Sequence, residues 1–303
     1  MNAAYWRLIR GGNALVGAAT VVVGALMVQT DFSPTEGLMI TLHAVCVGAF
    51  MASWNSFNDV QDATSDAVNH PERPIPSGDL SEIQAKAMGR AMFLLSIIAL
   101  LGAMLVAARW TNYLIDWLPS IAIWFLAFLL MFHYEMVVPE SFMLKHKGLI
   151  GNLAVSALVG IVIVFGATAI GGWDIPLVWL VATVAMLVNA AREIVKDIED
   201  QEGDIDRNTL TKRVGPQVAR AGAQILIVLA FLPLVAPYAR GMLHPGLLIT
   251  QIPAMLTLIS VKPKLYRGED YAAQRMLRVA MMLGLSGFLA SVLLPLQYNS
   301  LYA

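Results

Sequence analysis

Two clusters of acidic side chains have the spacing of a cation-binding site. In the first cluster, Asn58, Asp62 and Asp66 lie four residues apart within the stretch "NDVQDATSDAVNHPERPIPSG". A spacing of four places side chains on one face of an α-helix. Carboxylate oxygens are the ligands that Mg²⁺ prefers, and Mg²⁺ commonly bridges a few carboxylates to substrate phosphates. The first cluster therefore predicts part of a magnesium–phosphate site.

The second cluster repeats this pattern in "REIVKDIEDQEGD". Its acids lie at positions i, i+4, i+7 and i+11, again on one helical face: Glu193, Asp197, Asp200 and Asp204. One such cluster alone is typical of a solvated helix end. Like charges at this spacing repel, and charge near a bilayer is costly, so two clusters favour bound cations. We expect the two faces to hold a diphosphate through Mg²⁺ across a cavity.

Composition indicates that membrane-spanning helices position these clusters. The chain has 303 residues, of which 58% are hydrophobic and 14% are charged, whereas soluble domains have about 25% charged residues. We therefore predict an all-α polytopic membrane protein, with residues 1–303 as a single domain. The net charge of −1 gives no support for nucleic-acid binding. Nothing in the sequence implies a protein partner.

Nine apolar segments are long enough, or nearly so, to cross a bilayer, which takes about 20 residues. The predicted spans are 12–30, 37–57, 88–108, 114–133, 149–171, 175–196, 217–238, 242–261 and 276–298.

Charge sorting between the predicted loops supports nine spans. Of the 20 Lys and Arg residues, all but Arg109 and Arg240 fall on the side of the amino terminus. Because cytoplasmic loops carry the excess of Lys and Arg, we expect a cytoplasmic amino terminus and an outer carboxyl terminus. The acidic residues follow the same side, with four exceptions: Asp31, Glu36, Asp116 and Asp174. The sequence thus places its chemistry at the cytoplasmic ends of the spans.

The segment after the first cluster has the residues of a turn. Pro74 and Pro76 disfavour a continuing helix, and Gly78 permits a sharp turn. We expect the loop to fold over the site, and the next helix to start near Ser81 with Glu82 in its first turn.

Both clusters resemble the aspartate-rich motifs of the UbiA superfamily of intramembrane prenyltransferases. "REIVKDIEDQEGD" is similar to the archaeal branch that makes digeranylgeranylglyceryl phosphate, and further similarity lies in "YWRLIRGGNALVG" and "LKHKGLIGNLAVSALVG". The resemblance covers roughly residues 5–215. It implies a nine-helix bundle around a central cavity that opens to the cytoplasmic side. Polar cap loops at about 58–83 and 193–215 would cover the cavity.

The resemblance implies Mg²⁺-dependent transfer of a prenyl group from a prenyl diphosphate to an acceptor. Two ions would bridge the diphosphate, with Asp62, Asp66, Asp197 and Asp200 as the catalytic acids. The expected ligands of one ion are Asn58, Asp62 and Asp66, and those of the other come from Glu193, Asp197, Asp200 and Asp204. In the family, cations often occupy the positions of His70 and Ala67.

Cationic and aromatic candidates complete the predicted site. Arg73, Lys145 and Lys212 are candidates for contact with the diphosphate. Tyr134 could stabilise a prenyl cation. Arg10 and Asn13 could contact the acceptor. An Asn at the membrane margin, such as Asn13 or Asn152, could equally bond to another helix.

The acceptor is the least determined part of the predicted reaction. The similarity of "REIVKDIEDQEGD" favours geranylgeranylglyceryl phosphate and membrane-lipid synthesis, in the plasma membrane of a prokaryote. An aromatic acceptor such as 4-hydroxybenzoate is the alternative. An ion-coupled transporter is an alternative of another class, which predicts acids near mid-span and inverted repeats.

Overall fold

The computed structural model describes residues 3–110, 117–202 and 208–294, and within them every regular element is helical. The α-helices are α1 (Ala3–Leu8), α2 (Gly11–Leu26), α3 (Pro34–Gln61), α4 (Ala63–Asn69), α5 (Glu82–Trp110), α6 (Leu118–Glu135), α7 (Leu149–Thr168), α8 (Pro176–Glu199), α9 (Leu210–Val214), α10 (Pro216–Ala239), α11 (Ile252–Tyr266) and α12 (Asp270–Leu293). Short 3₁₀ helices occupy Leu144–His146, Asp200–Glu202 and Pro245–Gln251. The predicted all-α class is confirmed for the described residues.

Eight helical segments among the described residues are long and apolar enough to cross a membrane. They are Pro34–Gln61, Glu82–Arg109, Leu118–Glu135, Leu149–Thr168, Pro176–Glu199, Pro216–Ala239, Pro245–Tyr266 and Asp270–Leu293. The remaining predicted span, 12–30, coincides with α2, an apolar helix of 16 residues. At 1.5 Å per residue α2 is about 24 Å long, somewhat less than the hydrocarbon core of a bilayer.

Local sequence signals set the helix starts near the site. The hydroxyl of Ser33 accepts from the backbone N–H of Glu36, whose carboxylate accepts from the Ser33 N–H, and Pro34 takes the first helical position of α3. Ser81 and Gln84 make the equivalent pair of bonds before α5. The predicted helix start near Ser81 is therefore confirmed.

A close crossing of α2 and α7 depends on glycine. A Cβ at Gly24 would collide with the carbonyl oxygen of Ile163, and a Cβ at Gly166 would collide with that of Val21. Small residues let apolar helices approach backbone to backbone, where dispersion contacts are densest. The crossing fixes the first apolar helix against the helix that follows Lys145.

A buried polar group also joins helices within the bundle. His43 Nε2 lies 3.0 Å from the hydroxyl oxygen of Ser120, and that hydroxyl donates to Thr168 Oγ1 at 2.8 Å. These residues belong to α3, α6 and α7, so the bond chain connects the helices that carry the first acidic cluster and its neighbours.

Several helix ends meet at one end of the bundle. The start of α2 and the turn before α7 lie beside the end of α3. The starts of α10 and α12 lie beside each other, and α12 also contacts the end of α8. The side-chain pairs that join them are Arg10–Asp59, Lys145–Asp62, Arg220–Asp270 and Gln274–Glu199. Both acidic clusters lie at the carboxyl ends of helices, α3 and α8, that end here.

An apolar cavity lies among α7, α8, α10, α11 and α12, with Val188, Leu258 and Phe288 in its wall. Val188 precedes Asp197 by nine residues, a spacing that places the two residues on opposite sides of an α-helix. This cavity therefore lies on the opposite face of α8 from the acid cluster, and the predicted central cavity open to the cytoplasm stays a prediction.

Candidate active site

The first aspartate-rich segment remains helical through most of its length. α3 ends at Gln61, Asp62 forms the junction, and α4 continues from Ala63. The backbone N–H of Asp62 bonds to the carbonyl of Asn58, and that of Asp66 to the carbonyl of Asp62, both at 2.8 Å. Asn58 Nδ2 also donates to Asp62 Oδ2 at 2.9 Å. The spacing of four thus brings these side chains together as expected.

Arg10 binds this segment from the start of α2. Its backbone takes a left-handed conformation, with φ of 48°, between α1 and α2. One guanidinium nitrogen donates at 2.8 Å to both Asn58 Oδ1 and Asp59 Oδ1. The Asp59 side chain is only 2% exposed. Arg10, predicted for the acceptor pocket, therefore contacts the acid cluster, and Asp59 is a site residue that the sequence-based ligand set left out.

Arg73 holds the other end of the segment. Its Nη1 donates to Asp66 Oδ2 at 2.5 Å and lies 3.7 Å from Asp59 Oδ1. Burial raises the pKa of Asp66, and the nearby Arg73 charge opposes that rise. The turn that carries Arg73 closes at Gly78, which has a φ of +80°, as the proline and glycine pattern predicted. The predicted phosphate-binding Arg73 thus lies beside the carboxylates.

Lys145 approaches from the 3₁₀ turn before α7. Its Nζ lies 2.8 and 2.6 Å from the two carboxylate oxygens of Asp62 and 3.0 Å from Glu135 Oε1. Glu135, the last residue of α6, also accepts from Asn58 Nδ2 at 3.0 Å. Sequence reasoning missed Glu135, although a carboxylate at the end of an apolar span was a usable signal.

Together the first cluster holds four carboxylates, on Asp59, Asp62, Asp66 and Glu135, against three cationic side chains. The cations are Arg10, Arg73 and Lys145. With every group ionised, the formal charge is −1. The cluster can therefore attract a divalent cation, while its own cations remain close enough to contact a bound anion.

The second cluster is anchored to α7. Asn152 Nδ2 donates to Asp197 at 2.9 Å, and both residues are buried. Asn152 therefore bonds to another helix, one of the two roles expected for it. Glu193 is paired with Arg192 at 2.6 Å, and Asp200 begins a 3₁₀ turn. Asp204 lies outside the described residues.

Three further predicted site residues occupy separate places. Asn13 is exposed and accepts from Arg278 at 3.2 Å. Tyr134 is partly buried beside Glu135. Lys212 lies in α9, which starts with a bond from its backbone N–H to the Thr209 hydroxyl.

The donor set suits a hard cation. Among the described residues, no group of three or more His, Cys, Asp or Glu side chains is arranged to hold a metal alone. Mg²⁺ usually needs only one or two carboxylates, because waters and substrate phosphates complete its shell. Asp62 and Asp197 each supply a carboxylate in a polar environment, so the residues fit this form of magnesium binding.

A continuous group of aromatic rings lies beside the first cluster, on α3, α5, α6 and the loop after α6. Neighbouring centroids are 4.3–6.3 Å apart. Its members are Phe50, Trp54, Phe57, Phe93, Trp124, Phe125, Phe128, Phe132, His133 and Phe142. This group provides an apolar surface from the middle of α3 to the acidic end of the bundle.

The bundle of apolar helices, with carboxylates and cationic side chains clustered at one end, is that of an integral membrane protein. The UbiA prenyltransferase family model matches residues 17–292. The chain belongs to that family, and it is a prenyltransferase. This confirms the resemblance read from the aspartate-rich segments, and the transporter alternative is set aside.

Relatives and solved structures agree with this assignment. The digeranylgeranylglyceryl phosphate synthase of Methanopyrus kandleri is 37% identical, with 96% of this chain and 99% of the relative covered. The synthase of the same name from Thermococcus gammatolerans is 30% identical, with coverage of 96% and 99%.

A structure from work on digeranylgeranylglyceryl phosphate synthase in membranes has a TM-score of 0.69 and 25% identity, covering 96% of this chain and 98% of that one. A UbiA homologue from Archaeoglobus fulgidus, bound to GPP and Mg²⁺, has a TM-score of 0.59 and 15% identity. It covers 95% of this chain and 99% of its own, and it supports the fold.

Proposed function

We propose that the chain transfers a prenyl group from a prenyl diphosphate to geranylgeranylglyceryl phosphate, in a reaction that depends on Mg²⁺. The observation that carries the proposal is the first cluster, where Lys145 pairs with Asp62 and Arg73 pairs with Asp66, while Arg10 binds the adjoining Asn58 and Asp59. This arrangement can bind a diphosphate and its metal together. The names of the relatives support the glyceryl phosphate acceptor.

The acids are assigned to two Mg²⁺ ions that bridge the diphosphate. Asn58, Asp62 and Asp66 hold one ion. The second ion binds Asp197 and Asp200, with Glu193 or Asp204 as a further ligand. When bound, Mg²⁺ neutralises negative charge on the diphosphate as that charge develops. The catalytic carboxylates in this proposal are Asp62, Asp66, Asp197 and Asp200.

The cationic side chains act on the leaving group. The allylic C–O bond breaks with its electron pair remaining on the diphosphate, and Arg73, Lys145 and Lys212 donate hydrogen bonds to those oxygens. A hydroxyl oxygen of the acceptor then forms the new C–O bond and loses its proton. The products are an ether, diphosphate and a proton.

The rest of the site binds the two substrates. Arg10 and Asn13 contact the acceptor, and Tyr134 faces the allylic cation, where an aromatic ring is stabilising. The aromatic group on α3, α5 and α6 supplies an apolar surface for a prenyl chain. Excluding water from this surface protects the cation from hydrolysis.

We assign the acidic end of the bundle to the cytoplasmic side of a prokaryotic plasma membrane. The sorting of Lys and Arg supports a cytoplasmic amino terminus and an outer carboxyl terminus, with α2 as the ninth span. The whole chain then forms one domain around a central cavity, with polar caps at about 58–83 and 193–215. The joined helix ends at the acidic side support this arrangement.

The proposal is tested by an assay of the purified protein in lipid vesicles. Labelled geranylgeranyl diphosphate and Mg²⁺ are supplied with either geranylgeranylglyceryl phosphate or 4-hydroxybenzoate. We expect labelled ether lipid with the first acceptor and a loss of product on chelation of Mg²⁺. Product formed only with 4-hydroxybenzoate would show that the acceptor is aromatic rather than a glyceryl phosphate. Product with neither acceptor would contradict the proposal.

Asp62→Asn and Asp197→Asn test the metal assignment. Each keeps the side-chain shape and removes one carboxylate charge, so we expect at least about a 100-fold loss of product formation. Glu82→Gln is the matched control, because that exposed acid pairs only locally with Lys86. Full activity of both Asn variants with unchanged dependence on Mg²⁺ would overturn the assignment.

A further inference from the structure

Lys145 has two carboxylate partners on different helices. Its Nζ bonds to both oxygens of Asp62, at 2.8 and 2.6 Å, and to Glu135 Oε1 at 3.0 Å. The side chain of Lys145 is 10% exposed and that of Glu135 is 2% exposed. A lysine enclosed in this way is held at a defined place in the site.

These two partners have different roles in the proposed reaction. Asp62 is assigned to Mg²⁺, and both of its oxygens now face the ammonium group of Lys145. Like charges in a partly buried site repel strongly, because water screens them poorly. Lys145 must therefore release Asp62 when that carboxylate binds a cation.

Glu135 remains available to Lys145 after that release. The same oxygen, Oε1, also accepts from Asn58 Nδ2 at 3.0 Å, and Glu135 lies at the end of α6 rather than on the aspartate-rich segment. An ammonium group has three N–H donors. Lys145 can keep one bond to Glu135 while it turns another donor toward a phosphate oxygen.

We infer that Glu135 is a positioning residue, which keeps Lys145 at the diphosphate when Asp62 binds metal; this inference rests on the proposed function. Without the Glu135 charge, a Lys145 released from Asp62 would lose both of these carboxylate contacts. Ordering that long side chain again would then oppose diphosphate binding.

The inference is tested by calorimetric titration of inorganic pyrophosphate, at fixed Mg²⁺, into the detergent-solubilised full chain. Glu135→Gln keeps the acceptor for Asn58 and removes the charge, so we expect pyrophosphate affinity to fall about 10-fold. Glu135→Asp restores the charge and should recover part of the affinity. The KM for the prenyl diphosphate should rise by a similar factor, with a smaller change in kcat.

Glu140 provides the matched control. It is an exposed acid in the loop that follows Glu135, so Glu140→Gln removes the same charge nearby. We expect it to change pyrophosphate affinity by less than about twofold. Equal or tighter binding by Glu135→Gln, or an equal loss in Glu140→Gln, would overturn the inference.

A double-mutant comparison separates positioning from general damage to the fold. If Glu135 acts through Lys145, then adding Glu135→Gln to Lys145→Met should cause no further loss of affinity. This comparison also applies if Glu135→Gln alone folds poorly, because the double variant has a neutral side chain at both positions and so leaves neither charge unpaired. A full second loss in the double variant would contradict the role of Glu135.

Measurements on the wild-type protein distinguish failure of the proposed function from failure of the inference about Glu135. Absence of both pyrophosphate binding and prenyl transfer in the wild type would contradict the proposed function itself. Wild-type binding and transfer, combined with an unaffected Glu135→Gln, would contradict only the inference about Glu135.

Discussion

Replacing Arg10 by Met is expected to destabilise the bundle through Asp59. The guanidinium donates to Asn58 and Asp59 at 2.8 Å, and the Asp59 side chain is 2% exposed. Removing one partner of a buried ion pair costs about 3–5 kcal/mol. Here the loss is smaller, because Arg10 is 32% exposed and Arg73 stays 3.7 Å from Asp59.

We expect the free energy of unfolding of Arg10→Met to fall by roughly 2 kcal/mol, which lowers the folded-to-unfolded ratio about 30-fold. Arg10→Lys keeps a charge, but its ammonium nitrogen ends nearer the backbone than the Nη2 that reaches both partners, so its loss should be roughly half as large. The measurement is unfolding by sodium dodecyl sulfate in mixed micelles, followed by circular dichroism.

A second substitution tests the cause of this loss. Asp59→Asn in the Arg10→Met background removes the uncompensated carboxylate, so the double variant should recover most of the lost stability. Wild-type stability in Arg10→Met would refute the reasoning. So would a double variant that is less stable than Arg10→Met, because the destabilisation would then not come from an unpaired Asp59.

Three further outcomes follow from the site and the fold. Asn152→Leu removes the bond to Asp197, so the Mg²⁺ concentration for half-maximal activity should rise about 10-fold in a metal titration. Burial raises the pKa of Asp66 and Arg73 opposes this, so Arg73→Gln should raise that pKa further. The acid limb of activity at subsaturating Mg²⁺ should move to higher pH, and Arg73→Lys should reverse the shift. Gly166→Val should prevent assembly of α2 against α7, seen as aggregation in size-exclusion chromatography, whereas an unchanged elution profile would contradict that crossing.

The sequence predicted the acidic clusters because their spacing matches the helical period. Asn58, Asp62 and Asp66 are local in sequence, and their bonds follow from the helix that carries them. The all-helical class followed from composition, because a bilayer leaves few ways to satisfy the backbone. Predictions of this kind depend only on neighbouring residues.

Contacts between distant segments could not be predicted in this way. Glu135 meets Asn58 across 77 residues, and no sequence period relates the two positions. The direction of the Arg10 side chain depends on a left-handed residue at a helix break, a conformation that an arginine rarely adopts. The sequence named Arg10, Arg73 and Lys145 as site candidates, but which acid each of them contacts is known only from the folded chain.

The separation of these partners along the chain also orders the events of synthesis. Arg10 is made 49 residues before its partner Asp59, so it is already present when Asp59 appears. Asp62, in contrast, is made 83 residues before its partner Lys145. At about 5–20 residues per second, this interval lasts roughly 4–17 s. During that time the ribosome is still producing α5 and α6, and Asp62 must find its counter-charge in water or at the lipid surface. The first cluster thus gains the Lys145 counter-charge only once the segment before α7 has been made, and the second cluster follows later still.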